Sequence, residues 1–283
     1  MRVICDLHVH SYYSDGTCSP AQLIDLAETA GLSAVALCDH NTVAGVEEFM
    51  VAAQGREVEA IPGIEFSTVY REKELHILAL FVKPRYFAQI TEMMTDFLRR
   101  KDESNEKLAD ALNRAGYIVD YHAIKAGTPN GQVNRAHIAT ALAQAGYVAS
   151  RYEAFEQLLD PKHGFYTPPE RLSSFDAIRY IKSIGATAVL AHPFLSLEEP
   201  MLREFLAEAK DCGLDAIEVE YARYDAETTA LSAKIAEEFG LLPSGGSDFH
   251  GGNKPDISIG IGKGALAVPA KWVSPLRDRV KNF

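Results

Sequence analysis

The sequence predicts an α/β protein with mostly parallel strands that close toward a barrel, interrupted by a mainly helical insertion. Three observations support this. Strand-like and helix-like segments alternate over residues 1–84 and again over 168–283, the pattern of repeated βα units. Runs such as "AVALC" and "ATAVLA" are apolar throughout, as strands covered on both faces are. Histidines and carboxylates also fall at strand ends, and in a barrel such ends converge on one mouth, whereas an open sheet would spread them along a crevice.

Taken in order, "RVICDLHV" reads as a strand and "SPAQLIDLAETAG" as a helix, with Ser19 as N-cap, Pro20 in the first turn, Gln22 closing a capping box and Gly31 as the stop. "LSAVALCDH" is a strand and "VAGVEEFMVAAQG" a helix ending at Gly55. "EAIPGIEFSTVY" and "ELHILALFV" are strands joined by a charged turn, either an antiparallel pair or neighbours in a larger sheet. Residues 85–167 carry helical periodicity ("YFAQITEMMTDFLRRKDESNEKLADALNRAG", "NRAHIATALAQAG", "RYEAFEQLL") and no convincing strand. Alternation then resumes with "SFDAIRYIKSIG", "ATAVLAHP", "PMLREFLAEAKDCG", "LDAIEVEY", "DAETTALSAKIAEEFG" and the strand-to-loop segment "LLPSGGSDFH".

Composition narrows the function. The net charge of −11 argues against a long-duplex nucleic-acid binder, which needs a basic surface to displace counterions. A small anionic substrate stays compatible if bound cations reverse the local field. The four cysteines form no CxxC pair, a disulfide framework is not expected, and Cys5 and Cys38, in apolar strand-like runs, read as small buried hydrophobes. No apolar run reaches a membrane-span length, and "MRVICDLHVH" lacks a signal-peptide layout, so a cytoplasmic location is expected; the oligomeric state stays open.

The chemistry gathers in spaced pairs. In "HVH", His8 and His10 are two apart on a strand and point to one face, so both imidazoles can reach one ion. "SDFH" repeats the device with Asp248 and His250. Asp15, His40, Glu65, His76 and His192 complete the set. Asp15 also suits a plain turn, and a lone strand histidine such as His76 is by itself more often a hydrogen-bonded core residue. Imidazoles with carboxylates suit Zn²⁺, Mn²⁺ or Fe²⁺, and the set exceeds what one tetrahedral ion takes.

With these residues stated, "DLHVHSYYSDGTCSP", "ALCDHNT", "IPGIEFS", "LHILAL", "AVLAHP", "SGGSDFH" and "NRAHIATAL" together resemble the PHP (polymerase and histidinol phosphatase) family, nearest to its stand-alone nucleotide phosphatase branch. The resemblance implies a distorted (β/α)7 barrel and three divalent ions. By matching motif, one ion takes His8, His10, Glu65 and Asp248; a second takes Glu65 as bridge, His76 and His192; a third takes Asp15, His40 and His250. All these positions hold ligand-competent residues. The insertion is expected to form part of the substrate pocket.

The function expected is hydrolysis of the phosphate ester of a small metabolite, a nucleotide or sugar phosphate, by a hydroxide bridging two ions. The alternative is a cyclic phosphodiesterase or a short-oligonucleotide 5′-3′ exonuclease using the same site. Amide hydrolysis, as in other barrels opening with HxH, and a non-catalytic domain like those attached to polymerases fit less well. Arg135 and His137, at the start of a helix, are candidate phosphate contacts and catalytic groups. Asp39 is read either as orienting His40 or as a proton donor. Ser244 and Ser247 are candidate anion contacts, with Gly245 and Gly246 allowing close backbone approach. Glu218 and Glu220 match no ligand position and are read as supporting groups.

Overall fold

The computed structural model describes residues 3–128, 131 and 133–280. Its contacts divide the chain into two compact units, Met1–Thr91 with Leu172–Phe283, and Glu92–Arg171.

The first unit is an α/β nearly closed barrel. Its strands are β1 (Ile4–Val9), β2 (Ala34–Leu37), β3 (Glu59–Tyr70), β4 (Lys73–Leu80), β5 (Leu172–Ser173), β6 (Thr187–Ala191), β7 (Ala216–Tyr221), β8 (Leu242–Gly246) and β9 (Val268–Pro269). They hydrogen-bond in the order β8-β7-β6-β4-β3-β2-β1-β9, with β5 pairing β3. Segments at the two ends of this path then meet: Asp248 donates its backbone N–H to His8 O at 2.8 Å, His10 donates to Phe249 O at 2.9 Å, and Val9 bridges Phe249 in parallel. Gly246 permits this seam, because a Cβ there would sit 2.4 Å from the Cβ of His8. Gly245 is likewise pressed against the Glu220 carbonyl oxygen, 2.5 Å from where a Cβ would lie. Gly246 thus serves the seam with β1, and Gly245 the close pairing of β8 with β7.

The sheet is not wholly parallel. β4 runs antiparallel to both β3 and β6, which settles the open question about the two middle strands. The hairpin turn is Arg71-Glu72, at φ 45° and 68°, the positive values that a two-residue primed turn needs. Reversal places His76 near the start of its strand, not at a C-terminal end, and still next to the mouth: it pairs with Ala191, immediately before His192. β9 is a two-residue antiparallel strand on β1.

Helices cover the sheet where the sequence punctuation directs. The first, α1 (Pro20–Thr29), begins at Ser19, whose side chain and that of Gln22 form the expected reciprocal capping box, worth about 1 kcal/mol. α2 (Val46–Ala52) starts three residues later than the apolar run suggests and has no side-chain cap. α7 (Ser174–Ser183), α8 (Glu199–Cys212), α9 (Ala226–Phe239) and α10 (Val273–Arg277) follow the insertion. α8 and α9 both stop at left-handed glycines, Gly213 and Gly240. Leu7, Ala36, Ile61, Leu78, Leu80, Val189 and Ala216 pack into one core cluster that also takes in Leu266 and Val268 from the C-terminal segment.

The second unit is helical among its described residues. It holds most of α3 (Phe87–Arg114), with α4 (Tyr121–Gly127), α5 (Arg135–Gln144) and α6 (Arg151–Ala154), and α6 continues into a wider turn over Phe155–Leu159. Its core is Leu108, Leu112, Ile138, Leu142, Leu158 and neighbours. Asp120, capping α4, marks a helix that the sequence reading did not separate.

Candidate metal centre

Glu65 organises the mouth of the barrel. It lies on β3, fully buried, on the same face as its cross-strand partner Leu78 and hence as His76. Its Oε2 lies 3.0 Å from His40 Nδ1 and 3.3 Å from both His8 Nε2 and His10 Nε2. Its Oε1 lies 2.8 Å from His76 Nδ1 and 3.2 Å from His192 Nε2. Five imidazoles thus face one carboxylate.

A second carboxylate, Asp248, presents Oδ1 at 3.3 Å from His10 Nε2 and 3.4 Å from His250 Nδ1. Asp15, on the loop after β1, places Oδ1 3.1 Å from His250 Nε2 and 3.9 Å from His40 Nε2. All nine candidate ligands of the sequence therefore come together. Among the described residues, three groupings have donor atoms close enough to share an ion: His8-His10-Glu65, His40-Glu65-His76, and His10-Asp15-His40-His250. A neutral imidazole offers one lone pair, so His10 serves one of its two groups at a time.

The donor set fits cations. His10 Nδ1, His40 Nδ1 and Glu65 Oε2 are buried with no hydrogen-bond partner, although other polar atoms lie nearby. Lone pairs that converge without hydrogen-bond geometry are what an ion would satisfy, and left bare they are costly. Protonation without metal is uneven. Burial, reinforced by the charge of His250, holds His10 down at about 4, so it is neutral and ready to ligate. Burial opposes charge on His76 too, but the Glu65 carboxylate outweighs it and raises His76 to about 10. Glu65, Asp15 and Asp248 sit well below the usual carboxylate range despite burial, because imidazoles surround them.

A second layer holds these ligands. The backbones of His192 (φ 26°) and Asp248 (φ 55°) are in the left-handed region, where a non-glycine residue needs support. Asp248 Oδ2 accepts the Tyr221 hydroxyl at 2.8 Å and Lys254 Nζ at 2.6 Å. Buried Asp6 accepts from Ser247 N, Ser247 Oγ and Gly260 N, tying β1 to the loops after β8. The sequence reading missed Asp6, Tyr221 and Lys254. Closeness to HxH and SDFH could have flagged Asp6 and Lys254, while nothing near Tyr221 in the sequence points to the site.

Several expected contacts are spent elsewhere. The Asp39 carboxylate accepts from Ser11 N (2.8 Å), Ser11 Oγ (2.6 Å) and Ser14 Oγ (2.6 Å). It anchors the loop that carries Asp15, and none of its described hydrogen bonds reaches His40. Ser247 is buried with its hydroxyl on Asp6, whereas the Ser244 hydroxyl is fully buried with no hydrogen-bond partner. In the helical unit, Arg135 donates to Leu159 O at 3.2 Å and lies over the rings of Tyr166 (4.5 Å) and Phe155 (5.5 Å). His137 is the N3 residue of α5, where its Nδ1 accepts the Asn134 N–H.

A barrel mouth that gathers six histidines and three carboxylates, five and two of them in groups whose donor atoms could share an ion, defines a metal-dependent hydrolase. The chain belongs to the PHP family: the PHP domain profile matches residues 6–166, and with this it is a metal-dependent phosphoesterase. It is 34% identical over 250 residues to a 5′-3′ exoribonuclease of Haemophilus influenzae, covering 87% of this chain and 89% of that protein. It is 27% identical to the 3′,5′-nucleoside bisphosphate phosphatase of Chromobacterium violaceum, with 90% of each covered. The fold superposes on a candidate metal-dependent phosphoesterase from Bifidobacterium adolescentis at TM-score 0.84 and 27% identity, covering 99% of this chain and 97% of that one. Among the described residues no helix is long and apolar enough to cross a membrane.

Proposed function

We propose that the chain removes nucleotides from the 5′ end of short RNA, with three divalent ions (Mn²⁺, Zn²⁺ or Fe²⁺) held by His8, His10, Asp15, His40, Glu65, His76, His192, Asp248 and His250. The observation that carries this reading is Glu65, a single buried carboxylate whose two oxygens face different sets of imidazoles. Such a group suits a bridge between ions. When bound, the ions supply hydroxide near neutral pH and offset the charge that builds on phosphoryl oxygens.

The chain's own groups do the rest. His10 is neutral and needs to lose no proton to ligate. Tyr221 and Lys254 occupy Asp248 Oδ2, which leaves Oδ1 for the site. Asp39 holds the loop that brings Asp15 to His250. The exoribonuclease relative supports a phosphodiester at an RNA end over the small monoester favoured by the motifs alone. The net charge of −11 supports a short substrate gripped at the ions over a long duplex gripped along its backbone.

The Chromobacterium relative favours a second reading, loss of a phosphate monoester from a nucleoside 3′,5′-bisphosphate. Mn²⁺-loaded protein would be given a short 5′-phosphorylated ribo-oligonucleotide, a nucleoside 3′,5′-bisphosphate and a nucleoside cyclic phosphate. Mononucleotides released in order from the 5′ end are expected. Release of inorganic phosphate alone would move the assignment to the second reading, and no turnover of any of the three would sink both.

A further inference from the structure

We propose that Glu218 is a positioning residue that fixes the imidazole of His8 for metal and ties it to the turn carrying His192. This rests on the metal-centre reading above and adds a residue that no ligand motif contains.

Glu218 lies on β7, fully buried, and each of its oxygens has its own partner. Its Oε1 is 2.9 Å from His8 Nδ1, and its Oε2 accepts the backbone N–H of His192 at 2.6 Å. The opposite nitrogen of His8, Nε2, lies 3.3 Å from Glu65 Oε2 and 3.0 Å from His10 Nε2. With the Glu218 carboxylate accepting from this nitrogen, a neutral His8 carries its proton on Nδ1. That leaves the Nε2 lone pair aimed at the ligand group, the arrangement a carboxylate-backed histidine ligand uses. The second oxygen supports the His192 backbone at φ 26°, where a non-glycine residue is strained. One side chain thereby sets the ring orientation of a β1 ligand and the backbone of a post-β6 ligand. Glu218 is anchored in turn by Ser232 Oγ, which donates to its carbonyl oxygen at 3.2 Å.

The isosteric change Glu218→Gln separates orientation from packing. An amide that gives its oxygen to the His192 N–H must turn its NH₂ toward His8 Nδ1, and this drives the His8 proton onto Nε2, where it blocks the ion. The experiment measures Mn²⁺ affinity and bound Mn²⁺ per chain for the wild type, Glu218→Gln and His8→Ala, with circular dichroism and Tm as fold controls. The expected result is a native spectrum for Glu218→Gln with Mn²⁺ affinity lower by about 10- to 100-fold. Wild-type affinity in Glu218→Gln beside a clear loss in His8→Ala overturns the proposal and leaves the metal centre standing. Wild-type Mn²⁺ binding in His8→Ala overturns the metal-centre reading, and the proposal with it. If Glu218→Gln does not fold, nitrogen-15 NMR of the Zn²⁺-loaded wild type decides. A protonated Nδ1 on His8 supports the proposal, and a protonated Nε2 overturns it.

Discussion

Lys254 Nζ sits 2.6 Å from Asp248 Oδ2, so a lysine shares a carboxylate that also faces the histidines of the mouth. Asp248 is only 4% exposed, and without metal this cation compensates part of its buried charge. Lys254→Met is expected to lower the Tm of chelator-treated protein, the loss being about 1.5–3 kcal/mol for a hydrogen bond to a charged group. The gap in Tm between Mn²⁺-loaded and chelated protein should widen. Thermal melts with and without EDTA check this, and an unchanged gap would mean that Lys254 does not act as the stand-in cation.

Metal binding and protons compete at His76. Its folded-state value is raised from 6.5 to about 10, so in the chelated chain its stabilising contribution is complete below about 6.5 and is lost as pH rises through about 10. An ion needs the same imidazole deprotonated, so affinity grows over that window. The rise in Tm on adding Mn²⁺ is therefore expected to be larger at about pH 9 than at about pH 6. A gain independent of pH would separate His76 from the ions.

Asp39→Ala removes three hydrogen bonds from the Ser11–Ser14 loop. A stability loss of at least about 2 kcal/mol is expected, with reduced kcat as Asp15 loses its support. The shape of the pH-rate profile should not change. Disappearance of its alkaline limb would instead mark Asp39 as the proton donor to the leaving group.

Ser247→Ala should cost stability and leave KM where it was, because its hydroxyl is bound to buried Asp6 and not to substrate. The expected loss is about 1.5–3 kcal/mol. A rise in KM without a fall in Tm would restore the anion-contact role.

Arg135→Lys keeps the charge but loses the flat stack over Tyr166 and Phe155. A loss of about 1 kcal/mol in the stability of the helical unit is expected. A large rise in KM with unchanged Tm would instead identify Arg135 as a phosphate contact.

What was legible in the sequence follows from simple periods. HxH on a strand commits both side chains to one face, so His8 and His10 could be read as a pair before any coordinates, whereas Asp248 and His250 lie past the end of β8, with Asp248 at φ 55°, and reach the site by loop geometry that the strand period does not describe. The direction of β4 could not be read either. Its turn is Arg71-Glu72, with neither glycine nor asparagine to announce a primed hairpin, and only the sheet pairing shows that His76 arrives from the opposite direction. The supporting layer was hidden for another reason. Asp6 and Tyr221 look like ordinary strand residues, and a partner can lie far off in the chain, as with Asp6 and Ser247, 241 apart. A serine beside two glycines, as Ser247 is, suits an anion loop as well as a buried hydrogen bond. Here its hydroxyl makes the buried bond, to Asp6.

The seam between β1 and the segment after β8 has a mechanical meaning. Cations shared by His10, Asp15 and His250 would clasp the two ends of the barrel and make the folded chain in effect a ring. Clasping across so long a span removes freedom chiefly from the unfolded chain, as a cross-link does. Without the clasp, breathing should begin at this seam. Amide exchange at Val9, His10 and Asp248 would then quicken on chelation before the β3–β4 hairpin responds.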